Sequence, residues 1–154
     1  MPHRIRLDQA INQILDAIVG AIEAEVTEGG LLEEVKTVIR GDKTRPKPET
    51  PSVFVFTDVA RAEASPRTLA EQWRLPVILV VTVKDDDPEG GYRLATELTA
   101  KARSVVLRDR SLGLRRFVQD TKSLRFEAGG PNSQQGSLHG AAATVEVLFT
   151  ILEP

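Results

Sequence analysis

Cysteine is absent from the 154 residues of this sequence. Disulfide bonds, thiolate metal ligands and cysteine nucleophiles are therefore excluded together. Histidine is scarce as well, because His3 and His139 are the only two and both lie in segments predicted to be flexible and solvated. Two such histidines make no zinc or iron site, so we expect neither a metal nor another cofactor.

The sequence also lacks the motifs of several common catalytic sites. It has no Gly-x-x-x-x-Gly-Lys phosphate loop, no Gly-x-Ser-x-Gly elbow and no His-Glu-x-x-His helix. The acidic run at residues 85–89 lacks the alternating ligands and central glycine of a calcium loop, and Trp73 and Tyr92 are too isolated to stack single-stranded nucleic acid. We therefore expect a protein that is not an enzyme.

No stretch of the sequence approaches 18 uninterrupted apolar residues, and the N-terminus has no apolar signal-peptide core. These absences predict no membrane contact and a protein that stays in the cytoplasm unless it leaves within a particle. The composition is ordinary for a globular protein, with 41% hydrophobic residues, 27% charged residues and a net charge of -2. The length suits one domain over residues 1–154.

Two segments have the apolar spacing of amphipathic helices. In residues 7–26, apolar side chains recur every three or four positions. The second helix is predicted to begin after the acidic run, with Pro88 at its first position, and to end near Leu107.

Five segments are typical of strands, namely residues 35–40, 52–57, 75–83, 117–126 and 143–152. Residues 117–126 alternate, which predicts Val118, Leu124 and Phe126 on one face and Gln119, Thr121, Ser123 and Arg125 on the other. Flexible loops are expected near 41–51, 58–74 and 128–140. The element order predicts an α+β domain, with an antiparallel or mixed sheet of about five strands and both helices packed on one face.

Residues 53–56 and 75–83 are apolar without alternation, so both of their faces are expected to be buried. Two helices cannot cover both faces of such a sheet. Either residues 58–74 fold over the second face, or a partner subunit in a symmetric homo-oligomer covers it. The interface candidates on these strands are Val53, Val55, Leu79 and Val81.

Arginines are concentrated around the end of the second predicted helix. Arg103 and Arg108 are explained by favourable charge at a helix C-terminus. Arg110, Arg115 and Arg116 lie beyond the helix and are further interface candidates, for DNA phosphates or acidic residues of a neighbour. Leu112 in the same turn is also an interface candidate.

The element order, together with the LRDRSLGL turn at residues 107–114, resembles the tail-terminator or tail-completion proteins of long-tailed bacteriophages. In that family a Ser-Leu-Gly-Gly type turn precedes the last two strands. Ser111, Leu112 and Gly113 fit it, and Leu114 replaces the second glycine.

The resemblance implies a ring, expected to be a hexamer, at the head-proximal end of the tail tube, where it would stop tube growth and meet the head connector. Its place would be the virion, with assembly in the host cytoplasm, and its partners would be other copies, the tail tube protein and the neck proteins, with passing contact to genomic DNA. The neutral polar residues Asn132, Gln134 and Gln135 would suit a tube lumen or an axial contact; an ordinary mobile surface loop is the alternative.

Two other functions remain open. A head-completion or neck connector protein also forms a ring at this junction. A small ligand-binding domain with a ferredoxin-like sheet would instead need a concave pocket with convergent polar groups.

Overall fold

Two long antiparallel strands form the centre of the sheet. Strand β5 (Glu71–Lys84) and strand β8 (Leu138–Leu152) pair continuously, from Glu71 opposite Ile151 to Lys84 opposite Leu138. The structure is a computed structural model and describes residues 3–41, 49–63 and 69–153.

Shorter strands flank this central pair on both sides. On the β5 side lie β3 (Ser52–Thr57) and β4 (Arg61–Glu63), both antiparallel to β5, and β2 (Thr37–Arg40), which runs parallel to β3. On the β8 side lie β1 (His3–Arg4), β6 (Val118–Glu127) and β7 (Gln134–Gln135). In the described ranges the sheet thus has eight strands and is mixed.

Both helices cover the same side of this sheet. Helix α1 (Leu7–Ala24) and helix α2 (Pro88–Leu107) bury their apolar stripes against alternate residues of β3, β5 and β8. Ile14, Ile18 and Leu98 are fully buried in this layer. The predicted α+β domain with both helices on one face is therefore confirmed.

The helix boundaries follow from local chemistry. Helix α2 begins as predicted, because the Asp87 carboxylate accepts a hydrogen bond from the Gly90 amide at 3.2 Å and Pro88 needs no amide partner. It ends at Leu107, as predicted. Helix α1 begins at Leu7 as expected and ends at Ala24, two residues before the predicted boundary.

Three segments expected to be flexible loops contain regular structure or lie partly outside the described residues. The 128–140 segment holds a 3-10 turn (Pro131–Ser133), then β7 and the start of β8, joined by a tight hairpin. Strand β8 therefore begins five residues before its predicted start. The 58–74 segment holds β4 and the first residues of β5, with 64–68 outside the description, as are residues 42–48 of the first loop.

The predicted faces of β6 are wrong. Val118 and Thr121 are both buried, and they pair with Phe149 and Val147 of β8, which face the helices. Register shifts between Val118 and Asp120 and between Ser123 and Arg125 interrupt the alternation of side chains. A bulge adds one residue to one strand and reverses the faces of the residues beyond it, so a simple period of two fails here.

His139 is a core residue rather than a solvated one, which corrects the sequence-based expectation. It is 1% exposed, and its Nε2 lies 2.8 Å from the Asp85 carbonyl oxygen. The Tyr92 ring meets it edge to face, with centroids 5.3 Å apart. The imidazole thus joins the turn before α2 to the start of β8.

Gly91 provides the space for this imidazole. A Cβ atom at position 91 would lie 2.1 Å from the His139 Cδ2 atom. That distance is far below van der Waals contact, and the buried ring has no room to retreat. Only glycine fits at this point of α2.

We expect Gly91→Ala to lower the free energy of unfolding, because overpacking costs about 1–3 kcal/mol and outweighs the gain in helix propensity. Gly20→Ala is the matched control, since nothing lies within 4 Å of its added Cβ; it should stabilise by about 0.5–1 kcal/mol. Urea titration of both variants and of the parent measures the free energy of unfolding. A Gly91→Ala protein as stable as the Gly20→Ala protein would contradict the steric role of Gly91, and the loss should shrink in a His139→Ala background.

Candidate interaction surfaces

The side of the sheet opposite the helices, called the open face, carries a contiguous apolar patch. Strand register aligns its members across four strands: Ile39 opposite Phe54, Phe54 opposite Val80, Phe56 opposite Ile78, and Val80 opposite Ala142. The apolar patch consists of Ile39, Phe54, Phe56, Ile78, Val80 and Ala142. None of these six residues belongs to the core that packs against the helices.

Most of the apolar patch keeps partial exposure. Phe54 is 2% exposed and so is already covered within the chain, whereas the other five are half-buried. The described part of segment 58–74 does not cover the patch, because β4 extends the sheet at the edge of β5. Apolar residues therefore lie on both faces of β3 and β5, whereas both helices pack on only one face.

An ionic cluster occupies the other end of the open face. Arg74 Nη1 lies 3.0 Å from Glu146 Oε1, and Lys122 Nζ lies 3.6 Å from the same oxygen. Arg74 also donates to Glu63, and its hydrogen bonds, first to Glu63 and then to Glu146, raise the pKa of Arg74. The ionic cluster is Glu63, Arg74, Lys122 and Glu146, and Glu146 is its most buried member, with its side chain 14% exposed.

The four strand residues predicted as interface candidates must be corrected. Val53, Val55, Leu79 and Val81 are all 0% exposed and belong to the core under the helices. They are paired with one another across β3 and β5, on the covered face. Their neighbours Phe54, Phe56, Ile78 and Val80 point to the open face instead, since successive side chains of a strand alternate.

The turn after α2 is held by one carboxylate. Asp109 accepts hydrogen bonds from the Ser111 amide at 3.0 Å, the Ser111 hydroxyl at 2.7 Å and the Gly113 amide at 2.9 Å. Leu112 and Gly113 both have left-handed backbones, with φ of 55° and 69°. Leu112 packs partly against the core.

The three arginines beyond α2 have different surroundings. Arg110 is tied to β6, with Nε 3.0 Å from both the Thr121 carbonyl oxygen and the Asp120 carboxylate. Arg115 and Arg116 are exposed beside a depression of about 490 Å³ between α1 and the turn. The structure thus brings Arg115 and Arg116 together with Gln13 and keeps Arg110 apart.

The polar residues predicted for a lumen or axial contact lie in the 3-10 turn (Asn132) and in the β7 hairpin that follows it (Gln134 and Gln135). Gln134 is half-buried and fixed on both sides, because its Oε1 accepts from the Tyr92 hydroxyl at 2.7 Å and its Nε2 donates to the Gly136 carbonyl at 2.8 Å. Asn132 and Gln135 are exposed. Gln134 is therefore a structural residue of this hairpin, whereas Asn132 and Gln135 are accessible.

Within the described ranges few side chains are arranged as a catalytic or metal site would require. No group of three or more histidine or acidic side chains converges. A second depression, of about 430 Å³, is lined by Tyr92, Thr96 and Gly129 together with an exposed Glu97 that is paired with Lys101 at 2.9 Å. Neither of these two depressions encloses a buried carboxylate. Within the same ranges no helix has the length and apolar character needed to cross a membrane.

Comparison with known proteins finds no matching family model and no curated protein of similar sequence. The geometry of the chain itself therefore carries the functional interpretation. The sequence did not identify Ile39, Phe54, Phe56, Ile78, Val80 and Ala142, although the absence of alternation in β3 and β5 was the signal that a second face would be apolar.

We expect the Asp109 turn to confer acid-sensitive stability. Hydrogen bonds from the Ser111 side chain, then from the Ser111 and Gly113 amides, and the charge of Arg115 lower the pKa of Asp109 below its ordinary 3.8. A lowered folded-state pKa means that the stabilisation is complete above the unfolded value and lost as pH falls through the folded one.

Thermal unfolding of the parent and of Asp109→Asn across pH 2 to 7 tests this expectation. The parent should have a higher melting temperature than Asp109→Asn at pH 7, and the difference between the two melting temperatures should shrink below about pH 4. Asp86→Asn is the control, because the exposed Asp86 receives no comparable set of hydrogen bonds in the described ranges. A difference that does not change between pH 7 and pH 2 would contradict the role of the Asp109 charge.

Proposed function

We propose that this chain is a non-enzymatic structural subunit that assembles with copies of itself into a ring, as a tail-terminator protein at the head-proximal end of a phage tail tube. The apolar patch on the open face is the observation that carries the proposal. Its half-buried side chains lie side by side on four strands, and both helices of the described ranges pack on the opposite side. Such a surface favours a protein contact.

The free energies of side-chain burial and of association require a contact made by several residues of the patch together. Fully burying one Val, Leu, Ile or Phe side chain is worth about 1.5–3 kcal/mol, whereas association costs about 4–15 kcal/mol in lost freedom. A half-buried side chain gains only the part of this energy that its remaining exposure represents, so no single residue offsets that cost and a contact must combine several. Five residues of the apolar patch keep such exposure, whereas Phe54 is already covered.

The partners proposed for the ring are other copies, the tail tube protein and the head connector or neck proteins, with genomic DNA passing through the lumen. The overall charge of -2 gives no strong attraction to DNA. That balance is compatible with a lumen through which DNA must slide rather than stay bound. The place proposed for the chain is the tail-head junction of the virion.

The small ligand-binding domain finds less support. The depression beside Arg115 and Arg116 is lined largely by exposed residues, and Glu97 in the other depression is exposed and already paired with Lys101. A binding pocket normally buries most of its ligand and converges a few polar groups on it. Neither feature is present in these two depressions.

Light scattering after size-exclusion chromatography provides the first test. We expect a discrete species several times heavier than the 16.9 kDa of one chain, because the apolar patch favours contact over solvation. A uniform monomer up to millimolar concentration would contradict a self-assembling ring.

Electron micrographs of particles that lack this protein provide the second test and separate the two ring functions. Loss of a terminator should give tails of uncontrolled length, because nothing would stop tube growth. Complementation with the parent gene should restore uniform tails and is the control. Normal tails beside tailless heads would instead indicate a neck connector.

A further inference from the structure

We infer that Arg110 and Asp120 close the free edge of strand β6 against pairing with a strand of another copy. This inference is independent of the proposed ring, whose contact lies on the open face of the sheet. It assigns to Arg110 a role opposite to the interface contact expected from the sequence. The reason lies in the hydrogen bonds that these two side chains make with the backbone of β6.

Within the described ranges, β6 is the longest strand with one unpaired edge. It pairs there with β8 alone, and its ten residues compare with four in β2 and three in β4, which also lie at edges of the sheet. Strand β6 also carries two exposed apolar side chains, Leu124 at 50% and Phe126 at 39%. A long edge strand with exposed apolar residues is a template for a further strand.

Two side chains occupy backbone groups along this edge. The Thr121 amide donates to Asp120 Oδ1 at 2.9 Å, and the Thr121 carbonyl oxygen accepts from Arg110 Nε at 3.0 Å. Arg110 Nε also lies 3.0 Å from Asp120 Oδ1, so the two side chains are paired with each other. We call this group the edge clamp; it consists of Arg110, Asp120 and Thr121.

The strand register indicates which backbone groups an added strand would use. In an antiparallel ladder, successive residues alternately bond to the neighbouring strand and point away from it. Thr121 lies opposite Val147 and bonds through its amide and carbonyl to side chains of the edge clamp, so it is a residue that points away from β8. Ser123 follows two residues later without a register shift and shares that orientation.

The edge clamp makes the addition of a strand unfavourable for two reasons. A new strand would have to displace Arg110 and Asp120 from hydrogen bonds that already exist, so it would gain little at this point. It would also remove water from two charged groups. Register shifts on either side leave residues 120–123 as the longest regular stretch of β6. Since the edge clamp lies within that stretch, it protects the part of the edge best suited to pairing.

Deleting the edge clamp tests this inference. The double variant Arg110→Ala, Asp120→Ala frees both peptide groups of Thr121. The matched control is Arg125→Ala, Glu127→Ala, which removes an ion pair between two side chains of the same strand. Both variants lose one positive and one negative charge. All four side chains are at least 43% exposed, so both variants should keep the circular dichroism spectrum of the parent.

We expect the double variant, and not the control, to form larger species than the parent as the concentration rises, measured by light scattering. Hydrogen exchange then locates the contact, because a new strand should slow exchange of the Thr121 and Ser123 amides about tenfold or more relative to the dilute variant. Equal masses for the double variant and the control, or larger species without this protection, would overturn the inference. Arg110→Ala alone replaces the double variant if that variant loses the parent fold.

A third substitution tests whether the backbone of β6 makes the contact. Adding Ser123→Pro to the double variant removes an amide that an added strand needs, and proline is tolerated in an edge strand where the amide points away from the sheet. The triple variant should return to the mass of the parent. Continued association of a folded triple variant would show that the copies meet elsewhere, which contradicts the role of the edge clamp.

Discussion

A single layer of helices packs against a sheet whose strands β3 and β5 carry apolar residues on both faces, and this is the constraint on which the rest of the structure depends. Helices α1 and α2 both lie on one side, where they bury alternate residues of β3, β5 and β8. The residues between them, such as Val80 and Ile78, have the same apolar character but no helix above them in the described part of the chain. Because the helices cover only one side of the sheet, the apolar residues on the other side stay partly exposed.

The central pair of strands divides the open face into two chemically different halves. Towards the C-terminal end of β5, Ile78 and Val80 lie beside Phe56 and Ala142. Towards its N-terminal end, Arg74 lies beside Glu146, whose side chain is 14% exposed and forms an ion pair with Arg74. Because the two halves belong to the same strands, the fold fixes their separation, and any partner that covers one half approaches the other in a defined orientation.

The sequence predicted the elements better than it predicted their faces. Helix α2 was predictable because Asp87 and Pro88 form a start signal with a local mechanism, and β3 was predicted with its observed bounds. The face of β3 and β5 was not predictable, because Val53 and Phe54 are equally apolar and only the position of the helices distinguishes them. Bulges reversed the faces of β6, and the small residues before Ala143 concealed the start of β8.

The local motif that suggested a family has a structural explanation of its own. Asp109 closes the turn after α2 with three hydrogen bonds, Leu112 packs against the core and Arg110 is tied to β6. Any chain that must leave a helix here and enter an edge strand would benefit from such a turn. The turn therefore carries little functional information. Five residues of the apolar patch, in contrast, keep partial exposure with no helix above them in the described chain, which makes the patch the stronger indication of assembly.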